Sequence, residues 1–113
     1  MLATAMLAAP HRLRTRAEFD RVFKDGRSAH GALLSIRVAD AKRLRAGFTV
    51  GKSVSQKAVD RNRVRRRLRE IIRGFELDAV ELVISAKPAA AKATTAELRS
   101  DLETLLKKRG AFR

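Results

Sequence analysis

The sequence predicts an α+β fold, a two-layer α/β sandwich in which helices lie against one small sheet. Three observations predict it. Two capping boxes, Thr15 with Glu18 and Thr94 with Glu97, open segments with apolar residues at helical spacing. Two short runs, "ALLSIRVAD" and "ELVISAKP", are alternating or almost wholly apolar, as strands are. Between them an arginine-dense segment, "KAVDRNRVRRRLREIIRG" over 57–74, carries a continuous apolar stripe.

The elements follow in order. Thr15 opens a helix with Phe19, Val22 and Phe23 at i, i+3 and i+4, and Gly26 stands where a C′ glycine would stop it. Leu34, Ile36 and Val38 then alternate with Leu33, Ser35 and Arg37, the pattern of a half-buried strand. After a basic loop, "AGFTVGKS" reads as a second strand with Ala46, Phe48 and Val50 on one face and Gly47, Thr49 and Gly51 on the other. These two strands are expected to pair as an antiparallel hairpin. The arginine segment should be helical from about residues 57–60. Val64, Leu68, Ile71 and Phe75 form its stripe, and Asn62, Arg66, Arg69 and Arg73 fall on the opposite side. Arg61 and Arg65 lie along one flank, Arg63 and Arg67 along the other. "ELVISAKP" is a third strand ended by Pro88, suited to parallel pairing across the preceding helix. "AAAKA" reads as a linker, and Thr94 opens a last helix with Leu98, Leu102, Leu105 and Leu106 inward.

A chain of 113 residues with 45% hydrophobic content suits one domain with a modest core. That core is aliphatic, since there is no Trp or Tyr and only five Phe. The domain is expected to occupy residues 12–113 behind a flexible tail, 1–11. The tail, "MLATAMLAAP" and His11, is apolar but lacks a basic n-region and is short for a membrane span; a targeting remnant is the alternative. Met-Leu-Ala occurs at Met1 and at Met6, so either methionine suits a translation start. No cysteine is present, nothing argues for secretion, and a cytoplasmic location is expected.

The formal charge is +14, and it is concentrated. From Lys42 to Arg73 twelve Lys/Arg face two acids, a net of +10, whereas 74–104 carry three bases and six acids, a net of −3. Six of the nine residues from Arg61 to Arg69 are arginine. A merely solvated helix would alternate signs to gain i,i+4 pairs, but here like charges stand four apart. Such self-repulsion is offset by a polyanion, most commonly nucleic acid. An anionic membrane is the competitor, yet this helix is too polar to bury a wide apolar face in lipid. Arginine forks onto phosphate oxygens and stacks on bases, which suits structured RNA. Asn62 offers a donor and an acceptor, fitting either an RNA contact or a brace to nearby backbone.

A nuclease acting alone would need clustered carboxylates for metals or positioned histidines. The twelve acids are scattered, and the histidines are only His11 and His30, with no metal-ligand spacing. No Walker-type glycine loop is present either. The residues read by themselves thus leave an RNA-docking protein, with a ribosomal protein among the alternatives, ahead of a solvated helix or a stand-alone nuclease.

The segment "GFTVGKSVSQKAVDRNRVRRRLRE" resembles the signature of the protein subunit of bacterial ribonuclease P: a Gly-led strand, a basic turn, then Arg-Asn-Arg, an apolar residue and more Arg/Lys. "RLRTRAEFDRVFKDGRS" and "LVISAKPAA" with the Leu-rich helix extend the resemblance over roughly residues 12–109. It implies a sandwich of the ribosomal protein S5 domain 2 type with a left-handed βαβ crossover through the arginine helix, although the general rule favours the right-handed form. It also implies a partner: a large catalytic RNA that removes the 5′ leader from precursor tRNA with bound magnesium ions (Mg2+). The protein of that family binds the leader, supports RNA structure and metal affinity, and leaves the chemistry to the RNA. A monomer in a 1:1 complex with the RNA, with no membrane, is expected.

Carried onto this sequence, the basic motif covers Arg61, Asn62, Arg63, Arg65, Arg66 and Arg69, expected to contact the catalytic RNA. Phe19 and Phe23 match aromatic positions by the cleft where the leader runs. Phe48, Thr49, Lys52 and Lys57 match strand and turn positions near it, the two lysines as RNA contacts. By periodicity, core roles for Phe19, Phe23 and Phe48 stand beside cleft roles. Three positions depart from the family pattern. Ser53 replaces a frequent lysine, Arg37 stands where an aromatic is common on the cleft strand, and Arg67 occupies a position often apolar.

Overall fold

The computed structural model describes residues 12–113, so the expected tail 1–11, with His11 and both candidate start methionines, lies outside the described residues. Helix α1 is Arg16–Asp25, and both halves of its capping box form: Thr15 Oγ1 accepts from Glu18 N and Glu18 accepts from Thr15 N. Strands β1 (Arg27–His30), β2 (Leu34–Asp40) and β3 (Arg45–Thr49) follow. Helix α2 is Ala58–Arg73, strand β4 Val80–Ala86 and helix α3 Thr95–Lys108, the last opened by the Thr94–Glu97 box. The expected linker "AAAKA" instead overlaps a 3-10 turn, Pro88–Lys92, in which Ala90 is fully buried.

The sheet order is β1-β2-β4-β3. The expected hairpin between β2 and β3 does not form: β4 lies between them, antiparallel to β2 and parallel to β3. The physical reason is that β4 is buried on both sides, although its reverse face carries Glu81 and Ser85 beside Val83. Leu82 and Ile84 project into the main core and Val83 into the opposite one, so only a central, doubly covered position satisfies it. The parallel pairing expected across α2 is present. The hairpin that does form joins β1 to β2. Strand β1 was not expected, since "RSAH" has one small apolar residue and no alternation to read.

On one face of the sheet α2 and α3 close the main core. The Val64, Leu68, Ile71 and Phe75 stripe, joined by Ile72, meets Leu98, Leu102, Leu105 and Leu106 and the inward residues of β2 and β4. On the reverse face α1 contributes Val22, packed with Leu13 and Val83, and Phe19 leans on that small cluster. Gly26 ends α1 in an extended conformation, φ −81°, not the left-handed one. Glycine is needed there for closeness: an added Cβ would stand 2.4 Å from the Val22 carbonyl oxygen. Leu13 N donates to Ala46 O, covering part of the outer edge of β3.

Candidate nucleic-acid interface

Helix α2 supplies one wall of the candidate interface. Its buried stripe fixes the rotation of the helix, and that rotation alone sends the arginines outward. Asn62, Arg63 and Arg66 are exposed, and Arg61, Arg65, Arg67 and Arg69 are half-buried along the flanks. Several also hold the fold. Arg61 donates to the carbonyls of Ser55 and Gln56 at 2.9 and 3.0 Å, and Arg65 to Val50 O at 3.2 Å, so both tie the loop after β3 to the helix. Asn62 Oδ1 accepts from Arg65 at 2.7 Å, orienting a guanidinium rather than bracing loop backbone. The Arg66 side chain makes no hydrogen bond or ion pair among the described residues. Lys52 and Ser53 sit exposed in the loop, and Lys57 exposed at the helix N-cap.

The flank beside β3 is the most crowded. Arg69 lies 5.9 Å over the Phe48 ring, and its pKa is lowered, first by burial and then by the charges of Arg12, Arg73 and Arg65. An arginine stays charged regardless. The lowering reflects a guanidinium partly buried among neighbouring cations. The Nε atoms of Arg69 and Arg73 are buried with no acceptor among the described residues. Arg12, Phe19, Phe48, Arg65 and Arg69 meet around a pocket of about 150 Å³ at the outer edge of β3.

The reverse face of the sheet forms a second surface. Register sets His30, Ser35, Ser85 and Thr49 abreast across all four strands, and Thr49 Oγ1 donates to Ser85 Oγ at 2.7 Å. Helix α1 borders this row of short polar groups. Phe19 is half-buried, whereas Phe23 is 39% exposed with the Arg37 guanidinium 5.8 Å over its ring. Arg37 also donates to Phe23 O at 2.8 Å, so this cation is spent partly on holding the end of α1. Phe48 projects from the face of β3 opposite Thr49, packing on the main core beneath Arg69. The structure thus brings Phe19, Phe23, Arg37 and Thr49 to one face and sets Phe48 on the other.

At the far end of α1, Glu81 is 3% exposed and paired with Arg21 and Arg45, and Arg45 also meets Glu18. Sequence reading missed this network, though an acid heading an otherwise apolar strand was its signal. It also gave no role to Arg12 or Arg73, or to the Ser35 and Ser85 hydroxyls, whose signal was alternation away from the core. Among the described residues no group of three or more His, Asp or Glu could hold a metal ion, and His30 is exposed at the end of β1.

The family model described as Ribonuclease P matches residues 7–110. The chain is 46% identical over 94 residues to the ribonuclease P protein component of Thermus scotoductus, covering 80% of this chain and 57% of that one. It is 40% identical over 105 residues to the component of Xanthomonas oryzae pv. oryzae, covering 89% and 72%. The chain therefore spans little more than half the length of its Thermus relative. The RNase P protein structure from Staphylococcus aureus superposes with a TM-score of 0.82 at 27% identity, over 91% of this chain and 98% of that one.

Proposed function

The chain belongs to the ribonuclease P protein family, and from that membership we propose that it works as the protein component of a ribonuclease P holoenzyme. Residues 12–113 act as one domain that binds the catalytic RNA and the 5′ leader of precursor tRNA. Leader removal is done by the RNA, with Mg2+ held mainly there. The protein acts in the cytoplasm as a monomer, one per RNA.

The observation that carries this reading is the exposed cationic side of α2, fixed outward by a buried stripe and short of acidic partners. Arg61, Asn62, Arg63, Arg65, Arg66 and Arg69 would hold the catalytic RNA, with Lys52 and Lys57 extending the contact from the loop. The sheet face beside α1 would take the leader. The exposed Phe23 ring offers a stacking surface worth ~1–3 kcal/mol per base, and Phe19 forms the wall. Thr49 and its neighbouring hydroxyls offer hydrogen bonds, and Arg37 a cation at the rim. Phe48 would act from the edge pocket that it shares with Phe19 and Arg69.

The test is precursor-tRNA cleavage at low magnesium with the protein alone, a bacterial ribonuclease P RNA alone, and both together. Stimulation only in the mixture is expected. Cleavage by the protein alone would overturn the division of labour, and no stimulation would move the partner to another RNA.

A further inference from the structure

Arg63 and Arg67 stand one turn apart on the flank of α2 that meets the 3-10 turn, and that turn brings Lys92 beside them. The three cations line one open cavity of about 320 Å³, floored by Val54 and Val64. That volume lies within the ~300–1,000 Å³ typical of small-ligand sites. The acid in its lining is Asp60, already engaged by Ser55 Oγ at 3.1 Å and only 4.0 Å from Arg63. Arg67 donates to a neutral acceptor, Ala93 O, at 3.3 Å, and Lys92 makes no ion pair among the described residues. Three cations against one carboxylate leave the cavity positive, and a concave low-dielectric wall focuses such a field.

We propose that this cavity is a second phosphate-binding site for RNA, distinct from the flank of Arg65 and Arg69. It rests on the reading that α2 docks RNA, and it specifies how. A helix with its side chains is about 10–12 Å across, so phosphate sites on both flanks require two backbones separated by about one helix width. Helix α2 is therefore wedged where two strands of a folded RNA converge, not laid along a single strand. Arg63, Arg67 and Lys92 hold a phosphate of the second strand, and the valine floor receives its ribose.

The test compares wild-type protein with Lys92→Ala, Arg67→Met and Arg69→Met. Binding to a bacterial ribonuclease P RNA is measured across a salt series, and hydroxyl-radical footprints are taken on the same RNA. Lys92→Ala and Arg67→Met should each reduce the salt slope by about one, and should remove protections on a strand other than the one Arg69→Met exposes. The Lys92 side chain makes no hydrogen bond or ion pair among the described residues, so its variant decides the matter if Arg67→Met destabilises the 3-10 turn. Unchanged slope and footprint in Lys92→Ala, with normal wild-type binding, would overturn the cavity as a site. Losses on the same strand as Arg69→Met would overturn the wedge. Absence of wild-type binding would overturn the docking function itself, and this inference with it.

Discussion

Phe19 of α1 lies directly over Gly47 of β3: a Cβ built on Gly47 would stand 2.4 Å from the tip of the Phe19 ring and 3.2 Å from Leu13 Cβ. The ring rests there because the strand offers no side chain. One missing methyl therefore sets how closely α1 approaches the sheet, and with it the wall of the proposed leader surface.

Gly47→Ala should destabilise the protein by ~1–3 kcal/mol, the usual cost of overpacking. Phe19→Leu in the same chain should recover part of that loss. Urea denaturation of the single and double variants measures both. Strictly additive losses would show that the Phe19 ring is not what the methyl meets.

The arginines of α2 should separate by what else they hold. Arg66→Ala should leave stability within about 0.5 kcal/mol of wild type and lower the salt slope of RNA binding by about one. Arg61→Ala and Arg65→Ala remove bonds to Ser55, Gln56 and Val50 as well, so they should lower thermal stability along with RNA affinity. Equal stability of all three variants would contradict the bracing role.

Glu81→Gln removes the buried carboxylate shared by Arg21 and Arg45 and leaves Arg45 with Glu18 as its remaining partner. A loss of about 1–3 kcal/mol is expected, below that of a fully broken buried pair because Arg45 keeps one counter-ion. Arg21→Ala should cost less than about 1 kcal/mol, because Arg21 is 57% exposed and Arg45 remains on the carboxylate. Denaturant titrations of the two variants give the ranking, and a reversed order would refute it.

Glu18 has its pKa lowered from 4.5 to about 2, by the backbone N–H groups of Thr15 and Arg14 and then by Arg45. The folded value lies below the unfolded one, so the stabilisation is fully present above about pH 4.5 and is lost as pH falls towards 2. Melting temperatures of wild type and Glu18→Gln should therefore differ most near neutrality and converge over that interval. A gap that stays constant down to pH 2 would assign the effect to something other than the charge.

Much of this protein was determined by its sequence alone. Both capping boxes, the stripe from Val64 to Phe75 and the leucines of the last helix are local patterns, and each stands as read. So does the outward face at Asn62, Arg63 and Arg66, whereas Arg69, read on the side opposite the stripe, lies half-buried over Phe48. Family membership was also legible, since a motif at fixed spacing survives without knowledge of contacts.

Only the tertiary structure decided the strand order. Alternation tells which side of a strand is buried but not which strand is its neighbour, and β4, buried on both faces, claimed the place between β2 and β3. The division of the phenylalanines was decided there too, Phe48 to the core face and Phe19 and Phe23 to the other. Equally hidden were the Glu81 pair and the convergence of Arg63, Arg67 and Lys92. Charges distant in sequence meet only when packing brings their elements together, and no periodicity within one element records that meeting.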